Sequence, residues 1–481
     1  MNGRSEPARG IPAARAIEAT GASALLETSL PQTLTISIDS RTLARGETYL
    51  ALHGASFDGH AFVADALAAG AAALIVSAPQ AVPAGVPALV VADTQRALLA
   101  LGATARALAS QTKLVAITGS AGKTTTKTLL AHLLERVARG RVIATPANEN
   151  NEIGVSKLLL SLAPDTAYAV VELGARHAGD IAPLAGAARP DVAILTGIGD
   201  AHLEIFGSRD ALADTKWAIF AGGVRPVLNA ADATSRARAR SLGRSVVWFA
   251  GGDGARSVPD GDASVALRMA ACGYELAVRA ADESRETLYP CAVALAGAHN
   301  LANLAAAAAG AFALGIEPQA IAAACAGATL PAGRYERIEL GEFAVIYDAY
   351  NASTSGMLAT LASFAAERAG RRIAVLGSMA ELGDDAAALH ARVGAAAAHS
   401  GLDALLVGGD FADDLARGAR AAGLPGDRIV RFDTNGTATA WLARNARRGD
   451  LVLLKASRRY KLEEIVAGLA SERARTAPMH G

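Results

Sequence analysis

The chain lacks most of the features that would send it to a membrane, a secretory route or a nucleic acid. Only three cysteines occur, Cys272, Cys291 and Cys325, an odd number without two-residue spacing, which argues against a disulfide framework and against a thiolate zinc site. They read as core thiols of a reducing compartment. Neither charge is in excess: Lys plus Arg and Asp plus Glu each number 46, so no net field favours nucleic acid or an anionic membrane, and any phosphate recognition must be local. The longest apolar runs, Ala66 to Ala78 and Leu304 to Ile316, fall short of the ~18 residues a spanning helix needs. The first ten residues contain no apolar signal core. The expectation is a cytoplasmic protein with no membrane insertion and no nucleic-acid partner. No Asn-Lys-x-Asp guanine box exists either, which removes a GTPase reading.

What is present is one dense stretch, Lys113-Leu-Val-Ala-Ile-Thr118-Gly119-Ser120-Ala121-Gly122-Lys123-Thr124-Thr125, followed by Leu129, Leu130, Leu133 and Leu134 at helical spacing. It reads as strand, phosphate-cradling loop and helix. The glycines let backbone N–H groups turn inward, and the helix start adds partial positive charge. Lys123 supplies a full charge and Thr124 a hydroxyl for Mg²⁺. The common form of this loop has a further glycine where Ile117 stands, so this is the shorter Gly-x-x-Gly-Lys-Thr-Thr variant. Its natural ligand is a nucleoside triphosphate.

At 481 residues the length suggests two to four domains at about 150 residues each, and the pattern divides into three α/β segments. Residues 1–108 hold an irregular opening, short strands around Asp39-Ser40-Arg41 and Tyr49, a helical stretch from Ala61 to Ala69, and the strand-like Ala73 to Val76. Asp39-Ser40-Arg41 either caps a turn or binds a ligand. Residues 109–331 continue the phosphate loop with apolar strands of a parallel sheet, Tyr168 to Glu172 and Asp191 to Leu195. An antiparallel meander is expected over Val246–Phe249, Val265–Arg268, Glu275–Val278 and Val293–Leu295. Residues 332–481 repeat βα units with five strands and read as a Rossmann-like sheet that lacks a dinucleotide fingerprint. In such sheets ligands collect beyond the carboxyl ends of the strands, where Glu172 and His202 would join the phosphate loop. Glu172 is a hard oxygen donor suited to Mg²⁺, while His202 fits a ligand, a donor supporting one, or a buried bystander.

Over all three segments these residues resemble the Mur ligases, the ATP-dependent amide-forming enzymes of peptidoglycan precursor synthesis. Thr118 to Thr125 is similar to that family's ATP loop. Asp39-Ser40-Arg41 with Asp58-Gly59-His60, the run Asn148 to Gly154, the run Val375 to Gly383 with His390, and Leu454 to Arg458 narrow the likeness to the branch that adds D-alanyl-D-alanine to UDP-N-acetylmuramoyl-tripeptide. The resemblance implies three domains: an N-terminal one for the UDP substrate, a central P-loop ATPase domain, and a C-terminal Rossmann-like domain for the dipeptide. It implies ATP and Mg²⁺ as cofactors, these two small molecules as partners, and a monomer.

Residue by residue, it implies that Gly119, Ser120, Ala121, Gly122, Lys123, Thr124 and Thr125 cradle the phosphates, and that Thr124, Glu172 and His202 serve the metal. Asn300 and Asn303 would lie by the adenine, Arg334 would reach the phosphates from the third domain, and Asp348 would contact the ribose. Lys216 aligns with a lysine that the family carbamylates, and with Lys123 and His202 it makes up the implied catalytic set. Ser40 and Arg41 would hold the uridine nucleotide, Asn150 and Asn151 the sugar-peptide, and Tyr350, Asn351, Ser457 and Arg458 the dipeptide. Three positions depart from the family pattern: Ala218 where Glu is usual, and Thr354 and Ser156 where Pro is usual. Two other readings stay open, a Mur-type ligase with another acceptor, as in cyanophycin synthesis, and a non-catalytic nucleotide-binding scaffold.

Overall fold

The computed structural model describes residues 10–476 apart from Ala55, 200–202 and 252–261. Its middle is built on Lys113–Thr118, a strand whose last five residues are all buried. It must be apolar on both faces because it pairs in parallel with Tyr168–Glu172 on one side and Val192–Leu195 on the other, with helices above and below. The nine-stranded sheet runs Val142–Ala144, Tyr168–Glu172, Lys113–Thr118, Val192–Leu195, Arg225–Asn229, Val247–Gly251, Ala263–Ala270, Gly273–Arg279, Thr287–Cys291. One apolar core lies on each face. The Ala-rich helix Ala298–Ala313 has ten buried residues, and its small side chains let it sit directly on the sheet. A Cβ on Gly310 would already stand 2.7 Å from Ile194 Cδ1.

The expected meander needs two corrections. Val247–Gly251 is parallel to both neighbours and belongs to the main sheet. The last strand is Thr287–Cys291, and Val293–Leu295 forms none. Pro290 made that segment read as a break, yet the strand is the outermost of the sheet, where a missing N–H is tolerated.

The last segment holds a six-stranded sheet, Glu336–Leu340, Phe343–Tyr347, Leu451–Lys455, Arg372–Leu376, Ala404–Gly408, Ile429–Phe432. The five expected strands are parallel, and the sixth, Glu336–Leu340, adds an antiparallel edge. Its half-exposed, charged sequence hid it, as edge strands often do. Leu451–Lys455 returns to the middle of this sheet, so its end lies beside the end of Phe343–Tyr347.

The first segment carries a five-stranded sheet, Ser23–Leu25, Ala88–Val90, Ala73–Val76, Thr48–Leu50, Ile36–Ser37. The opening read as irregular contains the helix Ala13–Thr20, ended by left-handed Gly21. The helix expected from Ala61 begins at Val63 after a short 3₁₀ turn. Asp93 caps Thr94–Leu108, accepting from the N–H groups of Gln95 and Arg96, and that helix packs on Glu152–Leu160 of the middle segment. Among the described residues no helix is long and apolar enough to cross a membrane.

Candidate active site

Strand register brings the candidate residues to one edge. Ile117 pairs with Glu172 on one side and Ile194 on the other, so the loop after Thr118, the Glu172 carboxylate and the loop after Leu195 emerge together. The phosphate loop turns through Gly119 at φ 149° and Gly122 at φ 82°. A Cβ on Gly119 would stand 1.9 Å from Thr196 Oγ1, and one on Gly122 would stand 2.4 Å from Asn303 Oδ1. Thr196 fixes the loop by donating to the Ala121 carbonyl at 2.6 Å. Helix Lys123–Val137 starts there, and its first N–H groups have no acceptor within the helix, which makes the position an anion site.

A cleft of about 880 Å³ opens over this loop, between the middle and last sheets. Ser120, Ala121, Gly122, Lys123, Thr124, Thr125, Glu172, Lys216, Asn300 and Asn303 line it from the middle segment, with Asn150 and Asn151 on a flank. Arg334, Asp348, Tyr350, Asn351, Ser457 and Arg458 line it from the last segment. Gly119 lies behind the lining and offers its carbonyl to Lys123 Nζ at 2.8 Å. Ser40 and Arg41 are not part of the cleft. Arg41 forms a two-point pair with Asp39, 2.9 and 2.7 Å, on the exposed surface. His202 lies outside the described residues.

The electrostatics are those of a site short of anions. Burial pushes the Lys123 ammonium below its ordinary value, Glu172 opposes that shift, and the charge of Arg334 adds to it. Arg334 is itself lowered by burial, with Asp348 and then Glu172 opposing. Lys216, 1% exposed, is pushed down to about 7 by burial and then by the charge of Lys123. Glu172, also 1% exposed, accepts from Asn150 Nδ2 at 2.9 Å through Oε1, while Oε2 makes no hydrogen bond and lies 3.6 Å from Lys127 Nζ. Ser120 Oγ, Ser355 Oγ and Arg334 Nε are likewise buried without partners. Polar atoms abandoned in this way are costly unless a ligand meets them.

Among the described residues no three His, Cys, Asp or Glu side chains cluster as a metal cage. Mg²⁺ needs none, since it is usually held by one or two carboxylates, substrate phosphates and waters. Glu172 Oε2, which makes no hydrogen bond, and the hydroxyl of Thr124, which lines the same cleft, have the chemistry for it.

Residues 34–113 match the Mur ligase family catalytic domain, 117–311 the Mur ligase middle domain, and 333–458 the Mur ligase glutamate ligase domain. A UDP-N-acetylmuramoyl-tripeptide–D-alanyl-D-alanine ligase from Synechocystis is 35% identical over 91% of this chain and 92% of its own length. The chain belongs to the Mur ligase family. The namesake Mur ligase of Escherichia coli is 36% identical over 77% of this chain and 80% of its own. The crystal structure of MurF from Acinetobacter baumannii superposes with a TM-score of 0.84 at 30% identity, covering 97% of this chain and all of that one. MurF from Thermotoga maritima, solved in complex with ADP, gives 0.76 at 26% identity over 92% of this chain and 99% of its own.

Against that Mur ligase background, two of the three departures have a plain local setting. Thr354 is the first residue of helix Thr354–Ala366, a position that accommodates Pro, and its own hydroxyl is buried without a hydrogen bond. Ser156 lies inside Glu152–Leu160, packed on Gly102 and away from the cleft lining. Nothing in the structure explains Ala218.

Sequence reasoning passed over four residues. Thr196 clamps the loop, and Lys127 neutralises Glu172. Lys455 pairs with Asp348 at 2.6 Å. His299 lines the cleft and bonds Ser363 Oγ at 2.9 Å across the two segments, its imidazole lowered to about 4 by burial. Lys455 stood inside the run Leu454 to Arg458 and His299 next to Asn300; what lacked a signal was their partners, which lie 107 and 64 residues away. His390 accepts from Met379 N–H and donates to the Ala386 carbonyl, a wholly structural role.

Proposed function

We propose that this Mur ligase joins D-alanyl-D-alanine to UDP-N-acetylmuramoyl-tripeptide at the expense of ATP, acting as a cytoplasmic monomer. In this reading residues 1–108 receive the UDP substrate, through Ser40 and Arg41 among others, residues 109–331 bind ATP, and residues 332–481 receive the dipeptide. The observation that carries it is the single cleft shared by the phosphate loop, Glu172 and Lys216 with Arg334, Asp348, Tyr350 and Arg458.

The reaction has two steps. The tripeptide carboxylate attacks the γ-phosphorus of ATP, giving an acyl phosphate and ADP; the dipeptide amine then attacks the acyl carbon and phosphate leaves. Two anions must approach each other, so the protein's task is neutralisation and alignment. Residues 119–125 hold the phosphates through backbone N–H groups and Lys123, and Arg334 approaches from the facing segment. Asn300 and Asn303 are assigned to the adenine and Asp348 to the ribose; Asn150 and Asn151 to the sugar-peptide; Tyr350, Asn351, Ser457 and Arg458 to the dipeptide. Thr124 and Glu172, with His202, would hold Mg²⁺, which would supply charge neutralisation. Lys216, with its amine half neutral near pH 7, is suited to take up CO₂ as a carbamate, which only an unprotonated amine can do. Closure of the last segment over the cleft would shield the acyl phosphate from water.

Phosphate release with ATP, Mg²⁺ and both substrates, together with the product's mass, tests the assignment. Release with D-alanyl-D-alanine and a product one dipeptide heavier is expected. A folded protein that releases none, or that accepts a different amine from a panel, contradicts it.

A further inference from the structure

Lys455 closes the strand Leu451–Lys455 and is 3% exposed. The hydrogen bonds of its ammonium go to one loop: Nζ donates to Asp348 Oδ2 at 2.6 Å, to the Asp348 carbonyl at 3.2 Å and to the Asn351 carbonyl at 3.4 Å. The same Asp348 carboxylate accepts from Thr360 Oγ1 at 2.5 Å and from the Tyr335 N–H at 3.2 Å. Tyr335 stands at φ 56°, a left-handed conformation that a tyrosine keeps only where its surroundings impose it.

That strained residue directly follows Arg334. The Arg334 guanidinium lies over the Tyr350 ring, 4.3 Å from its centre, its Nε is unpartnered, and the Tyr350 N–H donates to the Gly333 carbonyl at 3.2 Å. One carboxylate therefore organises the turn that presents Arg334 to the cleft. It also threatens it. Burial works against the charge of Arg334, and among the groups that favour that charge Asp348 is foremost. A buried carboxylate without a counter-ion is a natural two-point partner for a guanidinium.

We propose that Lys455 is a positioning residue: by occupying Asp348 it keeps that carboxylate from capturing Arg334, and so leaves the guanidinium free for an anionic oxygen of the bound nucleotide. The inference rests on reading the cleft as a nucleotide site. Thr360 and the Tyr335 N–H hold the carboxylate in place, but neither cancels its charge; Lys455 does.

A mutant cycle on the full-length protein tests this, with ADP affinity by calorimetry and KM for ATP as readouts and thermal melting as a check on folding. Lys455→Met and Arg334→Ala are each expected to weaken ADP binding about tenfold or more, the scale of one lost charge-assisted hydrogen bond. The double variant should bind no worse than Arg334→Ala alone, because Arg334 is already withdrawn in Lys455→Met. A lysine that acted on stability alone, without reaching Arg334 through Asp348, would give effects that multiply. Should Lys455→Met fail to fold with a bare buried carboxylate, Lys455→Met/Asp348→Asn removes both charges, and it should bind more weakly once Arg334→Ala is added. Multiplying effects, an unchanged ADP affinity in Lys455→Met, or a charge-free pair indifferent to Arg334→Ala would overturn the proposal. A folded wild-type protein that bound no ADP would overturn the nucleotide-site reading and this inference together.

Discussion

Two junctions between the segments of this chain are built on opposite principles. Where the first segment meets the middle one, helix Thr94–Leu108 lies on Glu152–Leu160 with Gly102 against Ser156, so close that a Cβ would stand 3.2 Å from the Ser156 Cα. Arg106 seals the seam. Its five N–H groups reach the carbonyls of Ala109, Thr112, Ala188 and Arg189 and the carboxylate of Asp191, at 3.0–3.2 Å. Among the described residues there, the Ser156 hydroxyl is the one buried side-chain polar atom left without a hydrogen bond.

Where the middle segment meets the last, hydrogen-bonding capacity is left over instead. Ser120 Oγ, Glu172 Oε2, Arg334 Nε and Ser355 Oγ are all buried without a hydrogen bond around a cleft of about 880 Å³, with Lys127 3.6 Å from Glu172 Oε2 as its counter-charge there. A junction that satisfies its own polar groups is a mount, while one that leaves them wanting is prepared for ligands.

The sharpest way to break this contrast is at the cleft. Lys123→Ala is expected to lower ligase turnover by about 10²–10³-fold, the cost of one preorganised electrostatic group, with little change in melting temperature. A steady-state phosphate-release assay beside a melting curve checks both halves. At the sealed seam the effects should reverse. Arg106→Met leaves a row of buried carbonyls without donors and is expected to cost about 3 kcal/mol in urea unfolding, while the protein that remains folded keeps its turnover.

Lys216 sharpens the contrast through pH. Its amine is held at about 7 in the fold, far below the ordinary lysine value, so between those two pH values the unfolded chain binds a proton that the folded chain does not. Stability from this group therefore rises with pH across that window and is lowest below it. Urea midpoints near pH 7 and near pH 9 should show the rise, and Lys216→Met should flatten it. The smallest effect belongs to Ser156→Ala, which removes the one orphaned hydroxyl of the seam and improves helix propensity. A gain of about 0.5–1 kcal/mol with unchanged turnover is expected in paired unfolding and activity measurements.

Much of this was legible in the residues because its cause is local. Lys113–Thr118, the two glycines and the helix start announce themselves through periodicity and backbone demand, and Glu172 through its place at the end of a buried strand. The parallel strands of the last segment were readable as short apolar runs. What escaped has causes at a distance. Glu336–Leu340 is a strand only because Phe343–Tyr347 is there to pair with it. Pro290 is tolerated only because its strand is outermost. Lys455 matters through Asp348, and His299 through Ser363, pairings that exist only once the strands and helices are assembled. Asp39 and Arg41, by contrast, are close enough in sequence that their pairing on the surface needs no distant partner.

The most direct test of the central claim is a crystal structure of this protein with ADP. The account predicts the β-phosphate against the backbone N–H groups of residues 122–124 and the Lys123 ammonium, with Arg334 facing it from the last segment. A nucleotide bound elsewhere, or a phosphate loop left empty at saturating ADP, would contradict it.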